Sequence, residues 1–289
     1  MSGKVSPYIA LMKLRVVELL LVTTLPALFL AVRGVPSFKI TVATLIGGTL
    51  AAGASNAFNM IIEVDSDRLM ARTAKRPIVS GAVSETQAFV FASMLTVVSL
   101  VIFSYFTTVW ATVLTAAAIV FYVFGYTIGL KRRTSQNIVW GGIAGCMPVL
   151  IGWAAITNSL SLTAWLFFLL IFFWTPPHFW ALAIKYRDDY AAAGIPMLPV
   201  VASIKSVQKQ MWFHTIGMVI CSLALDWSAK LPWWCWVITV LLALGFGQQL
   251  LKIDGPNSEK AAAKLFQWSI TYLSVYSLLL VIAVLVSNP

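Results

Sequence analysis

Residues 40–62 read ITVATLIGGTLAAGASNAFNMII and run without a break into residues 63–80, EVDSDRLMARTAKRPIVS. The first part carries no charge and, at 1.5 Å per helical residue, is long enough to cross the roughly 30 Å hydrocarbon core of a bilayer. The second part crowds three carboxylates (Glu63, Asp65, Asp67) and four cations (Arg68, Arg72, Lys75, Arg76) into eighteen positions. An apolar span ending in such a knot predicts a membrane helix with an ionic site at its water-facing end. Asn59, Glu63 and Asp67 are spaced i, i+4, i+8, a drift of about 40° per step on an α-helix, so the three share one face. Asp65 falls on the far side and is expected to pair with nearby cations. Carbonyl and carboxylate oxygens gathered on one face suit a hard cation such as Mg²⁺. Arg72, Lys75 and Arg76, just beyond, suit a phosphate. Pro77 and Gly81 end the helix and leave 75–80 as a loop able to fold back over that face.

The rest of the chain extends the first half of this pattern. The 289 residues are 60% hydrophobic and only 10% charged, and the mean hydropathy is +0.88. That composition excludes a soluble domain. Nine apolar stretches of near-spanning length occur: Val16–Val32, Ile40–Ile62, Gln87–Phe106, Ala111–Leu130, Ile138–Ile156, Leu162–Ile184, Met211–Ser228, Trp233–Leu251 and Phe266–Val286. The expected fold is an all-α integral membrane protein, one domain over 1–289, with about nine transmembrane helices around a central cavity open to the cytoplasmic side.

A net charge of +10 would suit nucleic acid, but its distribution argues against that partner. With nine spans, all twenty Lys and Arg except Arg33, Lys39 and Lys230 fall on the side of the N-terminus. That is the positive-inside asymmetry, which puts the N-terminus in the cytoplasm and the C-terminus outside. Of the ten carboxylates, only Asp226 is away from that side. Insertion explains the cations but not the acids, so the chemistry is expected at the cytoplasmic face. Cys146, Cys221 and Cys235 have no CxxC spacing and read as packing residues. The opening residues carry neither a cleavage site nor a transit segment, which points to a bacterial plasma membrane.

Further polar groups stand out against this apolar background. Glu18 lies about one turn inside the first span, as an ion-pair partner of Arg15 or Lys13 or as a group behind the cytoplasmic pocket. Lys131-Arg132-Arg133 closes the fourth span, either as an anchor to lipid phosphates or as a clamp for diphosphate or carboxylate. The sixth span ends Trp174-Thr-Pro176-Pro177-His178-Phe179-Trp180, then Lys185-Tyr186-Arg187-Asp188-Asp189-Tyr190. Two prolines are expected to unwind or kink that helix. His178, roughly 16 Å deeper than Asp189 at helical rise, is either a satisfied core residue or a ligand-facing one. Residues 190–210 read as a lid-like loop. His214, at the start of the seventh span, lies within reach of the pocket. The second and sixth spans thus both end in acids and cations, suggesting quasi-repeats about 40–157 and 162–287.

Two acidic clusters at one membrane face, with Asp188 and Asp189 as the second, would clamp a diphosphate between divalent ions. An apolar tail in the bilayer makes that ligand a polyprenyl diphosphate, whose allylic C–O bond ionises. The motif Asn59-xxx-Glu63-x-Asp65-x-Asp67-Arg-x-Met70-x-Arg72-Thr73-xx-Arg76-Pro77 resembles the first acidic motif of the intramembrane UbiA-type aromatic prenyltransferases. More narrowly, with Lys131-Arg132-Arg133-Thr134-x-Gln136-Asn137, Thr175-Pro-Pro-His178, Tyr186-x-x-Asp189-Tyr190 and Ile195-Pro-Met-Leu-Pro199, it resembles the haem-modifying branch. Glu63 departs from the family's usual Asp but remains a hard oxygen ligand. The resemblance implies farnesyl diphosphate as donor, haem B as acceptor at a vinyl group, haem O as product and Mg²⁺ as cofactor. It makes Asn59, Glu63, Asp67 and Asp189 catalytic and, with Asp188, metal-binding. Arg72, Lys75, Arg76, Lys131 and Lys185 would hold the diphosphate, and His178, Arg132 and Arg133 the haem. A haem-copper oxidase or haem A synthase would be a partner. Prenylation of a quinone precursor or chlorin, a transporter and an oxidase assembly factor are the competing readings.

Overall fold

The computed structural model describes residues 2–287, and among these no strand occurs. A short helix α1 (Ser2–Met12) lies against the long rods and turns at Lys13, whose backbone is left-handed (φ 51°, ψ 53°), into α2 (Leu14–Val32). Next come α3 (Phe38–Ile62), the stub α4 (Val64–Leu69), α5 (Glu85–Phe106) and α6 (Val109–Val120). Helix α6 widens without interruption into a π-helical segment, Phe121–Leu130. The second half consists of α7 (Asn137–Thr157), α8 (Leu162–Lys185), the stubs α9 (Arg187–Ala192) and α10 (Leu198–Val201), α11 (Ile204–Ser228), α12 (Trp233–Leu250) and α13 (Ser258–Ser287).

The rods follow the expected apolar stretches, and among the described residues seven are long and apolar enough to cross a membrane. In α2 the described apolar part is Leu21–Val32, the residues just before it lying partly outside the described side chains. Helix α11 begins at Ile204, with Lys205, Gln208, Lys209 and Gln210 in its first turns. This is a multi-pass membrane protein. Its long helices α3, α5, α6 and α7 pack on one another, α8, α11, α12 and α13 do the same, and α2 lies between the two sets against α3, α7 and α13.

Between helices in lipid the association comes from close packing and hydrogen bonds, because lipid tails are as apolar as the side chains. Ser99 Oγ donates to Gly47 O (2.7 Å) and Thr108 Oγ1 to Ala154 O (2.7 Å). At Gly142 a Cβ would come within 3.0 Å of the Thr175 side chain. A Cβ at Gly141 would strike the Tyr126 ring at 2.2 Å, so this glycine lets the π-helical segment lie against α7.

Two local expectations are corrected. Helix α8 is not unwound at Pro176 and Pro177 but stays helical through them, flanked by buried Trp174, Thr175 and His178. Close packing on both sides holds the helix across the missing N–H groups. The expected lid at residues 190–210 is mostly ordered into α9, α10 and the start of α11, with Ile195, Met197 and Leu198 buried. Ser203 caps α11 by accepting from Ser206 N, which fixes where that loop ends.

Candidate functional site

Helix α3 is nicked at Glu63 (φ −101°, ψ 9°) before α4 begins. The hydrogen-bond ladder survives the nick, since Glu63 N donates to Asn59 O (3.0 Å) and Asp67 N to Glu63 O (2.9 Å). The i, i+4, i+8 face is therefore kept. Asn59, Glu63 and Asp67 are buried at 2%, 3% and 0% exposure, whereas the Asp65 side chain is 86% exposed and pairs with Arg68.

Each buried oxygen group is met by a cation. Lys13 Nζ donates to Asn59 Oδ1 (3.0 Å), and the Asn59 amide donates in turn to Thr127 Oγ1 (3.3 Å). Lys131 Nζ lies 2.5 Å from Glu63 Oε1. Arg76 Nη1 pairs with Asp67 Oδ2, so the loop after α4 does fold back over the face. Thr73 fixes that fold by donating from Oγ1 to Asp67 O (2.8 Å). Arg132 donates to Ser66 Oγ beside the same face. Three cations crowd two carboxylates, and Lys13 registers it: burial first, then Arg76 and Lys131, pull its ammonium down to about 7.

The second cluster approaches through aromatic rings. The Arg72 guanidinium lies 5.7 Å from the Tyr186 ring centroid and 5.8 Å from that of Tyr190, within cation–π range. Lys185 lies 5.3 Å from the Tyr186 centroid. Burial raises the Tyr190 phenol above its ordinary pKa, and the charges of Arg72, Glu63, Arg76 and Asp189 all act on it. Asp189 is half-buried, while Asp188, Lys75, Arg133 and Lys185 are exposed. Glu18 is also exposed, Lys13 is turned to Asn59, and the Arg15 side chain lies outside the described part.

His178 sits deeper in α8 and is 4% exposed. Its Nδ1 is 2.7 Å from Ser269 Oγ, and its ring stacks on Trp174 (4.2 Å, 20°) and Phe266 (4.5 Å, 25°). A partner on one ring nitrogen orients the other, here Nε2. His214 is buried beside Trp180 and Phe173.

Among the described residues no three His, Cys, Asp or Glu side chains form a metal cage. The donors present nevertheless fit Mg²⁺, which uses one or two carboxylates and leaves other positions to water and phosphate. Asp67 Oδ1 is buried and has no hydrogen-bond partner, so a hard oxygen on this face has unused capacity. Sequence reading missed Lys13 and Thr127 in the site, and Tyr186 and Tyr190 as the seat of Arg72. Lys13 carried a signal, being one of two cations just before the first span, but it was indistinguishable from an ordinary positive-inside residue.

The model of the UbiA prenyltransferase family matches residues 20–271. The chain belongs to the UbiA prenyltransferase family. Relatives of this family member include the protoheme IX farnesyltransferase of Frankia casuarinae, 46% identical over 99% of this chain and 100% of that protein. The protoheme IX farnesyltransferase of Streptomyces coelicolor is 48% identical over 98% of this chain and 91% of that protein. A solved UbiA homologue from Aeropyrum pernix superposes with TM-score 0.72 at 18% identity, over 95% of this chain and 98% of that one. One from Archaeoglobus fulgidus, bound to GPP and Mg²⁺, gives 0.70 at 15% identity, over 95% and 99%. At those identities the structures establish the UbiA fold for this chain.

Proposed function

We infer that this UbiA family member is a protoheme IX farnesyltransferase, moving the farnesyl group of farnesyl diphosphate to a vinyl group of haem B, with water added, to give haem O. The reading rests on one observation above all. At the end of an apolar helix, the buried oxygens of Asn59, Glu63 and Asp67 are balanced by Lys13, Lys131 and Arg76, as an anion-transfer site in lipid requires. The names of relatives at 46% and 48% identity select the substrates.

Asn59, Glu63 and Asp67, with Asp188 and Asp189 across the site, would hold Mg²⁺, which supplies positive charge to the departing diphosphate. Arg72, Lys75, Arg76, Lys131 and Lys185, joined by Lys13, bind the diphosphate oxygens and hold them through C–O cleavage. The farnesyl cation then meets the vinyl carbon, water captures the resulting cation beside the macrocycle, and a proton leaves. His178 Nε2 contacts the haem, while Arg132 and Arg133 hold its propionates. With α2 and α11 counted as spans the total would be nine, and the positive-inside asymmetry then supports a site and N-terminus at the cytoplasmic face and a C-terminus outside. The two packed helix sets support quasi-repeats about 40–157 and 162–287 in one domain. A haem-copper oxidase or haem A synthase would receive the product.

Purified protein given haem B, farnesyl diphosphate and Mg²⁺ should form a product heavier by a farnesyl group plus water. Absence of that mass, with a quinone precursor alkylated instead, would overturn the assignment.

A further inference from the structure

Three residues of α3 meet the corner where α1 turns into α2. Gly53, Asn56 and Asn59 are spaced i, i+3, i+6, so each is the helical neighbour of the next. Gly53 faces the Met12 side chain: a Cβ there would lie 2.7 Å from Met12 Cε and 3.2 Å from Met12 Cβ. Asn56 is buried and donates from Nδ2 to Met12 O (3.0 Å). Asn59 Oδ1 accepts from Lys13 Nζ (3.0 Å). One side of α3 thus holds a side chain, the carbonyl behind it and the next side chain of the same corner.

The corner needs holding. Lys13 has a left-handed backbone (φ 51°), which glycine adopts freely and a lysine only under strain. Its local hydrogen bonds are long, 3.3 Å from Lys13 N to Ala10 O and 3.4 Å from Val17 N to Lys13 O. Buried Leu11, and Tyr8 edge-on to Phe91 at 5.2 Å, fix the path of α1 but not the direction of Lys13. An asparagine bridging two helices is ordinary glue in a membrane bundle. Asn56 differs in its acceptor, the carbonyl immediately before the residue whose ammonium balances the buried oxygen face. We propose that Asn56 is a positioning residue for diphosphate binding. It fixes the corner so that Lys13 Nζ stays on the face where the diphosphate arrives, and Gly53 leaves the corner room to seat. The inference rests on the reading of that face as a prenyl diphosphate site.

Full-length protein in detergent, with Mg²⁺ and without haem, is titrated calorimetrically with a farnesyl diphosphate analogue whose bridging oxygen is replaced by sulfur. Asn56→Leu should bind it about fivefold more weakly, the value of one neutral hydrogen bond. Gly53→Ala, which presses on the same corner from the next turn, should weaken binding in the same direction. In a Lys13→Met background neither substitution should weaken binding further, because both act through Lys13. Asn56→Gln keeps an amide donor and should recover part of the affinity. Equal affinity in parent and Asn56→Leu, whatever happens to Tm, would make Asn56 a packing residue and overturn the proposal. A full fivefold loss persisting in the Lys13→Met background would overturn it too. Should Asn56→Leu fail to fold, the same comparison with Gly53→Ala decides. A parent protein that binds no analogue would overturn the diphosphate reading itself, and this inference with it.

Discussion

Replacing Lys131 by Met removes one charge from the oxygen face and leaves a side chain of similar length. The pair it breaks is tight and mostly dry: Nζ lies 2.5 Å from Glu63 Oε1, with side chains 16% and 4% exposed. Losing one member of a buried pair costs about 3–5 kcal/mol, and the residual wetting of Lys131 favours the lower figure. Unfolding entropy of about 2.1 cal/mol/K per residue amounts to roughly 600 cal/mol/K for this chain. A loss of about 3 kcal/mol therefore lowers Tm by about 5 °C in detergent containing a chelator. With the ammonium gone, Mg²⁺ can approach Glu63 unopposed, so Mg²⁺ should raise the Tm of the variant more than that of the parent. Adding Glu63→Gln removes the stranded carboxylate and should return most of the lost stability. A Lys131→Met protein melting within about 1 °C of the parent, with and without Mg²⁺, would refute a charge-balanced oxygen face, because that shift corresponds to well under 1 kcal/mol.

Arg76→Met should raise KM for farnesyl diphosphate by about 10- to 100-fold, the value of one charge-assisted hydrogen bond, with Arg76→Lys in between; steady-state kinetics would check the order. Ser269→Ala should weaken haem binding about fivefold in a Soret titration, since the oriented His178 Nδ1 contact is worth about 1 kcal/mol. His178→Ala should weaken it further, and unchanged haem affinity would return His178 to a packing role. Asp189→Asn should cost more turnover than Asp188→Asn, because Asp188 projects into solvent; equal losses would remove burial as the reason.

Much of the site was legible because period and composition are local. The i, i+4, i+8 oxygen face needed only helical geometry, and it survives the nick at Glu63 because two backbone hydrogen bonds bridge it. Asp65 as the odd acid followed from the same angle. The features that could not be read depend on distant packing. Lys13 reaches Asn59 across 46 positions, a contact no spacing rule encodes. The continued helicity of α8 through Pro176 and Pro177 depends on tightly packed surroundings, whereas the sequence carries only the local breaking signal. The order at residues 190–210 likewise comes from burying Ile195, Met197 and Leu198, a tertiary effect.

The π-helical segment Phe121–Leu130 has a consequence for how this chain tolerates change in length. Its five-residue bonds, such as Lys131 N to Tyr126 O (2.9 Å), turn the backbone less per residue than an α-helix does. Deleting one residue there, and letting the segment tighten to α, removes about 100° of turn but adds turn at each remaining residue, so the two changes offset only in part and the C-terminal part of the helix ends rotated relative to the N-terminal part. Thr127 and Lys131 would then be swung out of phase with Asn59 and Glu63, although every residue type at the site was unchanged. Substitutions on the lipid-facing side of this helix are mild by comparison. In comparisons among relatives, a gap placed between Phe121 and Leu130 would signal a realigned site more surely than many exchanged side chains.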